Sequence, residues 1–276
     1  LRGQLNHKQL DTDLATIGDR VIIDVFEDGT GIIKEVCERN RVLSRRLPSN
    51  SYENKPRYKN HEIQQVLIAN VDQAIFVFSC QDPTPNFRML DRFLVIAAAN
   101  HIPAIICANK IDLIGAQKAV SAFELYEDIG YQVVYTSTLN KQGVHDLKNL
   151  LPGKVSVLAG PSGVGKSTLL NTINPNLGLR VNEISQSSRK GRHTTVYPQL
   201  IPIDDKGWVA DTPGLRALDF FDIEPEELDA YFVEIAPLVA GCAFSNCTHT
   251  HEPSCAVVSA LIKGQISESR YNSLLQ

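Results

Sequence analysis

The chain has 276 residues, 43% of them hydrophobic and 21% charged, with a formal net charge of −4. That length exceeds one small module and suits two or three domains, one of them able to bury a substantial core. No run approaches the roughly 18 apolar residues of a membrane span, nothing resembles a signal peptide, and the net negative balance argues against nucleic-acid binding over the whole surface.

Taken in chain order, the first sixty or so residues read as short strands. Val21-Ile22-Ile23-Asp24-Val25 and Gly31-Ile32-Ile33-Lys34-Glu35-Val36 flank the turn signal Asp28-Gly29. Short strands, glycine turns and no helical period suggest a small barrel. Numbering opens on Leu1 rather than a methionine, so a longer precursor is expected, including one with a removable organelle-targeting segment. A basic stretch follows, with Arg39, Arg41, Arg45, Arg46, Lys55, Arg57 and Lys59 against the single acid Glu53. Within it, Pro48 to Lys59 reads as a mobile loop.

From about Gln73 strands and helices alternate, the sign of a parallel sheet covered on both faces. Ala74 to Phe78 predicts a buried strand, Leu90 to Ala99 a helix, and Pro103 to Ala108 a strand that delivers Asn109-Lys110-Ile111-Asp112 at its carboxyl end. Ser121 to Ile129 reads helical, Gln132 to Thr136 extended, and Val144 to Leu151 helical. Lys154 to Ala159 is a further strand, which feeds Gly160-Pro161-Ser162-Gly163-Val164-Gly165-Lys166-Ser167-Thr168 and a helix from Lys166 to Ile173. Asn174 to His193 has little periodicity and reads as a switch loop. Val196 to Ile203 and Trp208 to Ala210 are expected to pair as a hairpin that ends at Asp211-Thr212-Pro213-Gly214. Beyond it the alternation stops, and Pro225 to Ala236, Cys255 to Lys263 and Ser267 to Leu275 read as helices. Ten acids between Asp204 and Glu234, against Lys206 and Arg216, read as a solvated face.

Three of these segments carry chemistry. In GxxxxGK[ST], glycines let backbone N–H groups approach phosphate oxygens at a helix N-terminus. Lys166 would contact the β- and γ-phosphates, and Ser167 would ligate Mg²⁺. Asp112 would accept from guanine N1–H and the 2-amino group, a donor pair adenine lacks, which predicts GTP over ATP. Asn109 would help hold the base and its loop, the Lys110 stem would pack on the ring, and the Thr136-Ser137-Thr138 segment would offer a backbone N–H to the guanine O6. Asp211 would hold Mg²⁺ and the Gly214 amide would sense the γ-phosphate. NKxD and DxxG are weak alone, as a helix cap or a plain turn can produce them. Their weight comes from all three motifs following predicted parallel strands, where open α/β sheets bind ligands.

Ordinary GTP-binding domains carry the phosphate loop first, then DxxG, then NKxD; here NKxD comes first, so the thread is circularly permuted. Leu215 follows DTPG where signalling GTPases place a glutamine, so intrinsic turnover is expected to be slow. His193 in Gly191-Arg192-His193-Thr194-Thr195 is a candidate for positioning water, with an exposed loop histidine as the alternative. Thr194 or Thr195 would supply the second Mg²⁺ hydroxyl.

Of six cysteines, Cys37, Cys80 and Cys107 are isolated. Cys242, Cys247 and Cys255 with His249 form CxxxxCxHxxxxxC, which fits a structural tetrahedral Zn²⁺ site, His251 being the alternative imidazole.

NKID, GPSGVGKST, GRHTT, DTPGL and the Cys/His cluster, preceded by a small barrel, together resemble the circularly permuted ribosome small-subunit-dependent GTPases, the RsgA (YjeQ/YloQ) family. The resemblance covers nearly the whole chain. It implies an OB-like barrel at 1–65, N-terminally clipped and with a basic connector, a permuted α/β P-loop GTPase at 66–217, and a helical zinc-binding domain at 218–276. It further implies GTP hydrolysis with Mg²⁺, one Zn²⁺, stimulation by the small ribosomal subunit and its rRNA, a role in late subunit maturation, no membrane partner, a monomer, and a cytoplasmic location, or the plastid stroma or another organelle if a targeting segment is removed. The competing reading is an RNA-binding scaffold that keeps GTP mainly as a structural ligand.

Overall fold

The computed structural model describes residues 15–46, 64–179, 199–204, 207–211 and 223–276. The expected mobile loop at 48–59, residues 180–193 of the expected switch loop and the Thr212-Pro213-Gly214 segment therefore lie outside the described residues, whereas the start of that switch loop is a 3-10 helix at Pro175–Leu177.

Strands β1 (Val21–Val25) and β2 (Gly31–Val36) pair antiparallel with a register shift between Ile22 and Ile23. Strands β3 (Val42–Arg46) and β4 (Gln64–Ala69) form a second antiparallel pair, which the sequence reading did not anticipate. Among the described residues these remain two separate two-stranded sheets rather than a closed barrel. Arg39, expected in the basic stretch, is tied down instead: its Nε and Nη2 donate to the two Asp19 carboxylate oxygens at 2.7 and 2.8 Å. Asn70 completes the join by donating from Nδ2 to the Gly18 carbonyl and accepting the Asn40 N–H at Oδ1.

The centre of the molecule is a six-stranded sheet. Its elements in chain order are β5 (Gln73–Ser79), α1 (Phe87–Ala99), β6 (Ala104–Asn109), α2 (Ala116–Asp128), β7 (Gln132–Thr136), α3 (Val144–Asn149), β8 (Val155–Ala159), α4 (Lys166–Ile173), β9 (Gln199–Asp204) and β10 (Gly207–Asp211). The strand order is β7-β6-β5-β8-β10-β9, all parallel except the β9–β10 hairpin. Side chains alternate across a strand, so β5 feeds two cores. Phe76 and Phe78 join Leu90, Phe93 and Phe123 on one face, while Ile75 and Val77 join Leu147, Leu169 and Leu170 on the other. Every β5 residue is therefore buried.

Element boundaries follow capping and close packing more than periodicity. α1 begins three residues before the expected Leu90 because the Asn86 side chain caps it, accepting the Met89 N–H at 3.1 Å. α2 likewise begins at Ala116 rather than Ser121. The expected helix from Pro225 to Ala236 is instead a 3-10 helix at Pro225–Tyr231 and a short α5 at Ala236–Val239. The break is physical: Phe232 turns extended so that it and Ile235 both enter a core, and Pro237 has no N–H to bond back across the junction.

α6 (Ala256–Ile262) and α7 (Glu268–Leu274) complete the chain, capped by the Cys255 sulfur and the Ser267 hydroxyl. They pack with Phe232 and Ile235 in a third apolar cluster that also takes in Val95 of α1. A buried charge network crosses the same junction. Arg270 of α7 donates to Asp91 of α1 at 2.6 Å and, through Nε and Nη2, to both Glu234 oxygens. Its guanidinium carbon lies 4.5 Å from the centre of the Phe232 ring. Asp91 also accepts from Tyr126 and Ser273. No helix among the described residues is long and apolar enough to cross a membrane.

Candidate functional site

The sheet sets three strand ends side by side. β8 runs into the glycine-rich loop, β6 ends at Asn109, and β7 ends at Thr136 just before Ser137 and Thr138. The loop then turns sharply into α4, whose first residue is Lys166.

Two glycines in that loop are dictated by contact as well as by backbone angle. A Cβ on Gly160, at φ +149°, would lie 2.1 Å from the Val77 carbonyl oxygen. One on Gly165, at φ +97°, would lie 2.6 Å from the Asn109 amide nitrogen. Both approaches are too close for any side chain, and the second shows how tightly two remote segments meet.

Asn109 is fully buried and joins those segments. Its Nδ2 donates to the Val164 carbonyl at 2.8 Å, and its Oδ1 accepts the Thr136 hydroxyl at 2.9 Å. Thr136 in turn lies 3.3 Å from the Cys107 sulfur. One side chain thus locks the glycine-rich loop to the ends of β6 and β7. Lys110 adopts the left-handed conformation at φ +61° and its ammonium donates to the Asp82 carbonyl. Asp112 is exposed, and its carboxylate accepts the Ser137 hydroxyl. Ser137 is itself fixed by its N–H on the Gln142 carbonyl at 3.0 Å. Thr138 follows, half-buried. Lys166 folds over the loop and donates to the Gly160 and Pro161 carbonyls at 2.7 and 2.6 Å. Ser162 and Gly163 are exposed, and Ser167 and Thr168 are half-buried in the first turn of α4.

Asp211 is the last residue of β10, the strand beside β8, and pairs through the backbone with Gln199. His193, Thr194, Thr195 and Gly214 lie outside the described residues. One participant escaped the sequence reading: Asp82 offers only a backbone carbonyl, which leaves no residue-type signal. Thr136, expected in the segment that offers a main-chain N–H, acts through its hydroxyl on Asn109. Cys80, just beyond β5, has its thiol pushed up to about 11 by burial and then by the Asp112 carboxylate, so it stands as an uncharged group beside this site.

A second constellation lies in the C-terminal part. The sulfurs of Cys242, Cys247 and Cys255 and one nitrogen of His249 all fall within 4.8 Å of one another. A tetrahedral ion with Zn–S of about 2.3 Å and Zn–N of about 2.0–2.1 Å would hold its ligand atoms roughly 3.5–3.8 Å apart. The observed separations match: 3.9 Å between the Cys242 and Cys255 sulfurs, and 3.7 and 3.4 Å from them to His249 Nδ1. His251 faces away and bonds Thr250 instead, so His249 is the imidazole of the cluster. The donor set, three thiols and one imidazole, fits zinc. Glu252 organises the intervening turn, accepting from the Thr248 and Thr250 amides and the Thr248 hydroxyl.

The family model described as RsgA GTPase matches residues 37–221 of this chain. The chain belongs to the RsgA GTPase family. Among curated proteins it is 44% identical to the small ribosomal subunit biogenesis GTPase RsgA of Alkaliphilus metalliredigens, covering all of this chain and 87% of that one. It is 43% identical to the protein of the same name from Moorella thermoacetica, covering 94% and 82%. Among solved structures, YjeQ from Thermotoga maritima superposes with a TM-score of 0.75 at 38% identity, over 95% of this chain and 82% of that one. YloQ, described as a circularly permuted GTPase, gives 0.72 at 33% identity, over 99% and 80%. The permuted order of the RsgA GTPase motifs is thus the order in which β6, β8 and β10 occur here.

Proposed function

We propose that this chain is a GTP-hydrolysing switch that acts on the small ribosomal subunit late in its maturation and is stimulated by it. The observation that carries the nucleotide part is the Asn109 bond to Val164, which holds the base-reading segment against the phosphate loop. In this reading Asp112 accepts from the guanine N1–H and 2-amino group, held in aim by Ser137. Asn109 keeps the loop in register, the Lys110 stem packs on the ring, and the Thr138 N–H reaches O6. The N–H groups from Gly160 to Thr168 cradle the phosphates at the start of α4. Lys166 leaves the Gly160 and Pro161 carbonyls for the β- and γ-phosphate oxygens, so nucleotide entry replaces two neutral acceptors of its ammonium with anionic ones.

Ser167, Asp211 and one of Thr194 or Thr195 would hold magnesium, which neutralises charge on the β- and γ-phosphates when bound. The Gly214 amide reports the γ-phosphate, and His193 orients the attacking water once the subunit is bound. Leu215, at the position after DTPG, offers no polar atom for that task, which is why turnover waits for a partner.

Around this centre we assign an OB-like barrel and basic connector to 1–65, the permuted GTPase to 66–217, and a zinc-binding helical domain to 218–276. The barrel assignment is supported by the antiparallel β1–β2 and β3–β4 pairs and by the short turn at Asp28-Gly29 between β1 and β2. The zinc assignment is supported by the Cys242, Cys247, His249, Cys255 cluster. Contacts with rRNA, a monomeric state and a cytoplasmic location complete the proposal.

The test is GTP turnover with and without purified small subunits. Partner activation of related switches reaches ~10³ or more. A strong stimulation is expected, and stimulation below about tenfold would overturn the checkpoint role.

A further inference from the structure

Asp229 belongs to no motif in the chain. It stands on the 3-10 helix Pro225–Tyr231, thirteen positions before the first cysteine of the cluster. Folding brings its Oδ2 to 2.8 Å from Nε2 of His249, whose Nδ1 faces the Cys242 and Cys255 sulfurs. His249 is 2% exposed, so this carboxylate is in position to govern its outer nitrogen.

We infer that Asp229 is the outer carboxylate of the metal centre, a positioning residue that accepts the His249 Nε2–H and thereby leaves the Nδ1 lone pair for the ion. A neutral imidazole carries one N–H. Were it on Nδ1, it would point into the sulfurs while the Nε2 lone pair faced carboxylate lone pairs, an arrangement repelled at both ends. The observed geometry selects the other tautomer. The carboxylate also raises the basicity of the ligating nitrogen, and such outer partners hold the ring at the angle the ion requires.

A backbone angle and one further contact show that the histidine is held rather than merely buried. Its backbone is left-handed, at φ +60°, a conformation a non-glycine residue keeps only when its surroundings impose it. The Tyr271 hydroxyl donates to its carbonyl at 2.5 Å, so α7 grips the main chain while Asp229 grips the ring. The consequence reaches beyond the cluster. The 3-10 helix bearing Asp229 runs into Phe232, which shares an apolar cluster with Val95 of α1. Ligation of His249 therefore helps fix the 3-10 helix Pro225–Tyr231 and Phe232 against α1.

This inference rests on the zinc reading, and the experiment separates the two. Full-length protein, Asp229→Asn and Asp229→Ala are titrated with Co²⁺, then with Zn²⁺ against a chromophoric chelator. The wild type should show the intense bands of thiolate-bound tetrahedral cobalt. Zinc affinity should fall about 10- to 100-fold in the variants, with Asn, which keeps an acceptor oxygen, losing less than Ala. In ¹⁵N spectra of the zinc-loaded wild type, His249 should be protonated at Nε2. GTP affinity of the zinc-saturated variants should match the wild type. Should Asp229→Ala fail to fold, the isosteric Asn variant carries the comparison. Affinity within twofold of wild type in the folded variants, or a wild-type Nε2 without a proton, would overturn the role of Asp229. Absence of the cobalt bands in the wild type would overturn the zinc reading beneath it.

Discussion

At the scale of single residues, function here depends on side chains that satisfy each other before any ligand arrives. Asn109 and Ser137 bond within the protein, and so hold Val164 and Asp112 in the positions that the proposed nucleotide reading requires. This pre-organisation lowers the ordering cost of binding. Glu252 shows the same economy on the metal-site turn. Hydrogen bonds from the Thr248 hydroxyl and amide, outweighing a small opposing effect of desolvation, hold its carboxyl well below its usual 4.5. A depressed folded-state pKa stabilises the fold above the unfolded value and loses that stabilisation as pH falls through the folded one. Thermal stability of the C-terminal part should therefore decline below about pH 4.5 in the wild type. Glu252→Gln should lower stability at neutral pH and flatten that acid limb; equal pH profiles from thermal melts of the two proteins would rule the turn's carboxylate out as a contributor.

At the scale of elements, the glycine-rich loop is a backbone device whose shape is set by its neighbours. Its match to GxxxxGKS could be read from the chain, whereas the reason Gly165 tolerates no substituent could not, since Asn109 is 56 positions away. Gly165→Ala should cost about 1–3 kcal/mol through strain at positive φ and displacement of the Asn109 amide. It should also weaken GTP binding at least tenfold, which calorimetry alongside chemical denaturation will measure; unchanged affinity would mean that the Asn109–Val164 bond does not organise the loop. The strands were legible because a parallel sheet buried on both faces gives short apolar runs. The helix starts were not, because Asn86 caps α1 from outside the apolar pattern and Phe232 breaks the predicted Pro225–Ala236 helix to reach a core.

At the scale of the whole molecule, the join between the C-terminal helices and the GTPase core rests on apolar contact with Val95 and on one buried guanidinium. Burial alone would lower the Arg270 pKa, but hydrogen bonds and charge from Glu234 and Asp91 more than reverse this and keep it charged. Removing one partner of such a cluster leaves the others buried without compensation, at a cost of about 3–5 kcal/mol. Arg270→Ala should show that loss in denaturant unfolding, with the C-terminal region exchanging amide hydrogens faster than the β5–β8 core. Arg270→Lys should recover only part of it, because a single ammonium cannot span Asp91 and both Glu234 oxygens. Full stability in either variant would show that the guanidinium contributes nothing to the junction.

From the chain alone came the motifs behind the proposed chemistry: a glycine-rich loop suited to phosphate, a carboxylate suited to guanine, three cysteines with a choice of two histidines for zinc, and the rearranged order of the segments. These are legible because each needs particular residue types at short, fixed spacing. Only the tertiary structure decided which residues support them. It drew Arg39 from the basic stretch into a bond with Asp19, chose His249 over His251, brought Asp229 to the metal cluster and set Asp91 under Arg270. Those partners are remote in the chain and meet only when strands and helices pack, so no local pattern could carry them.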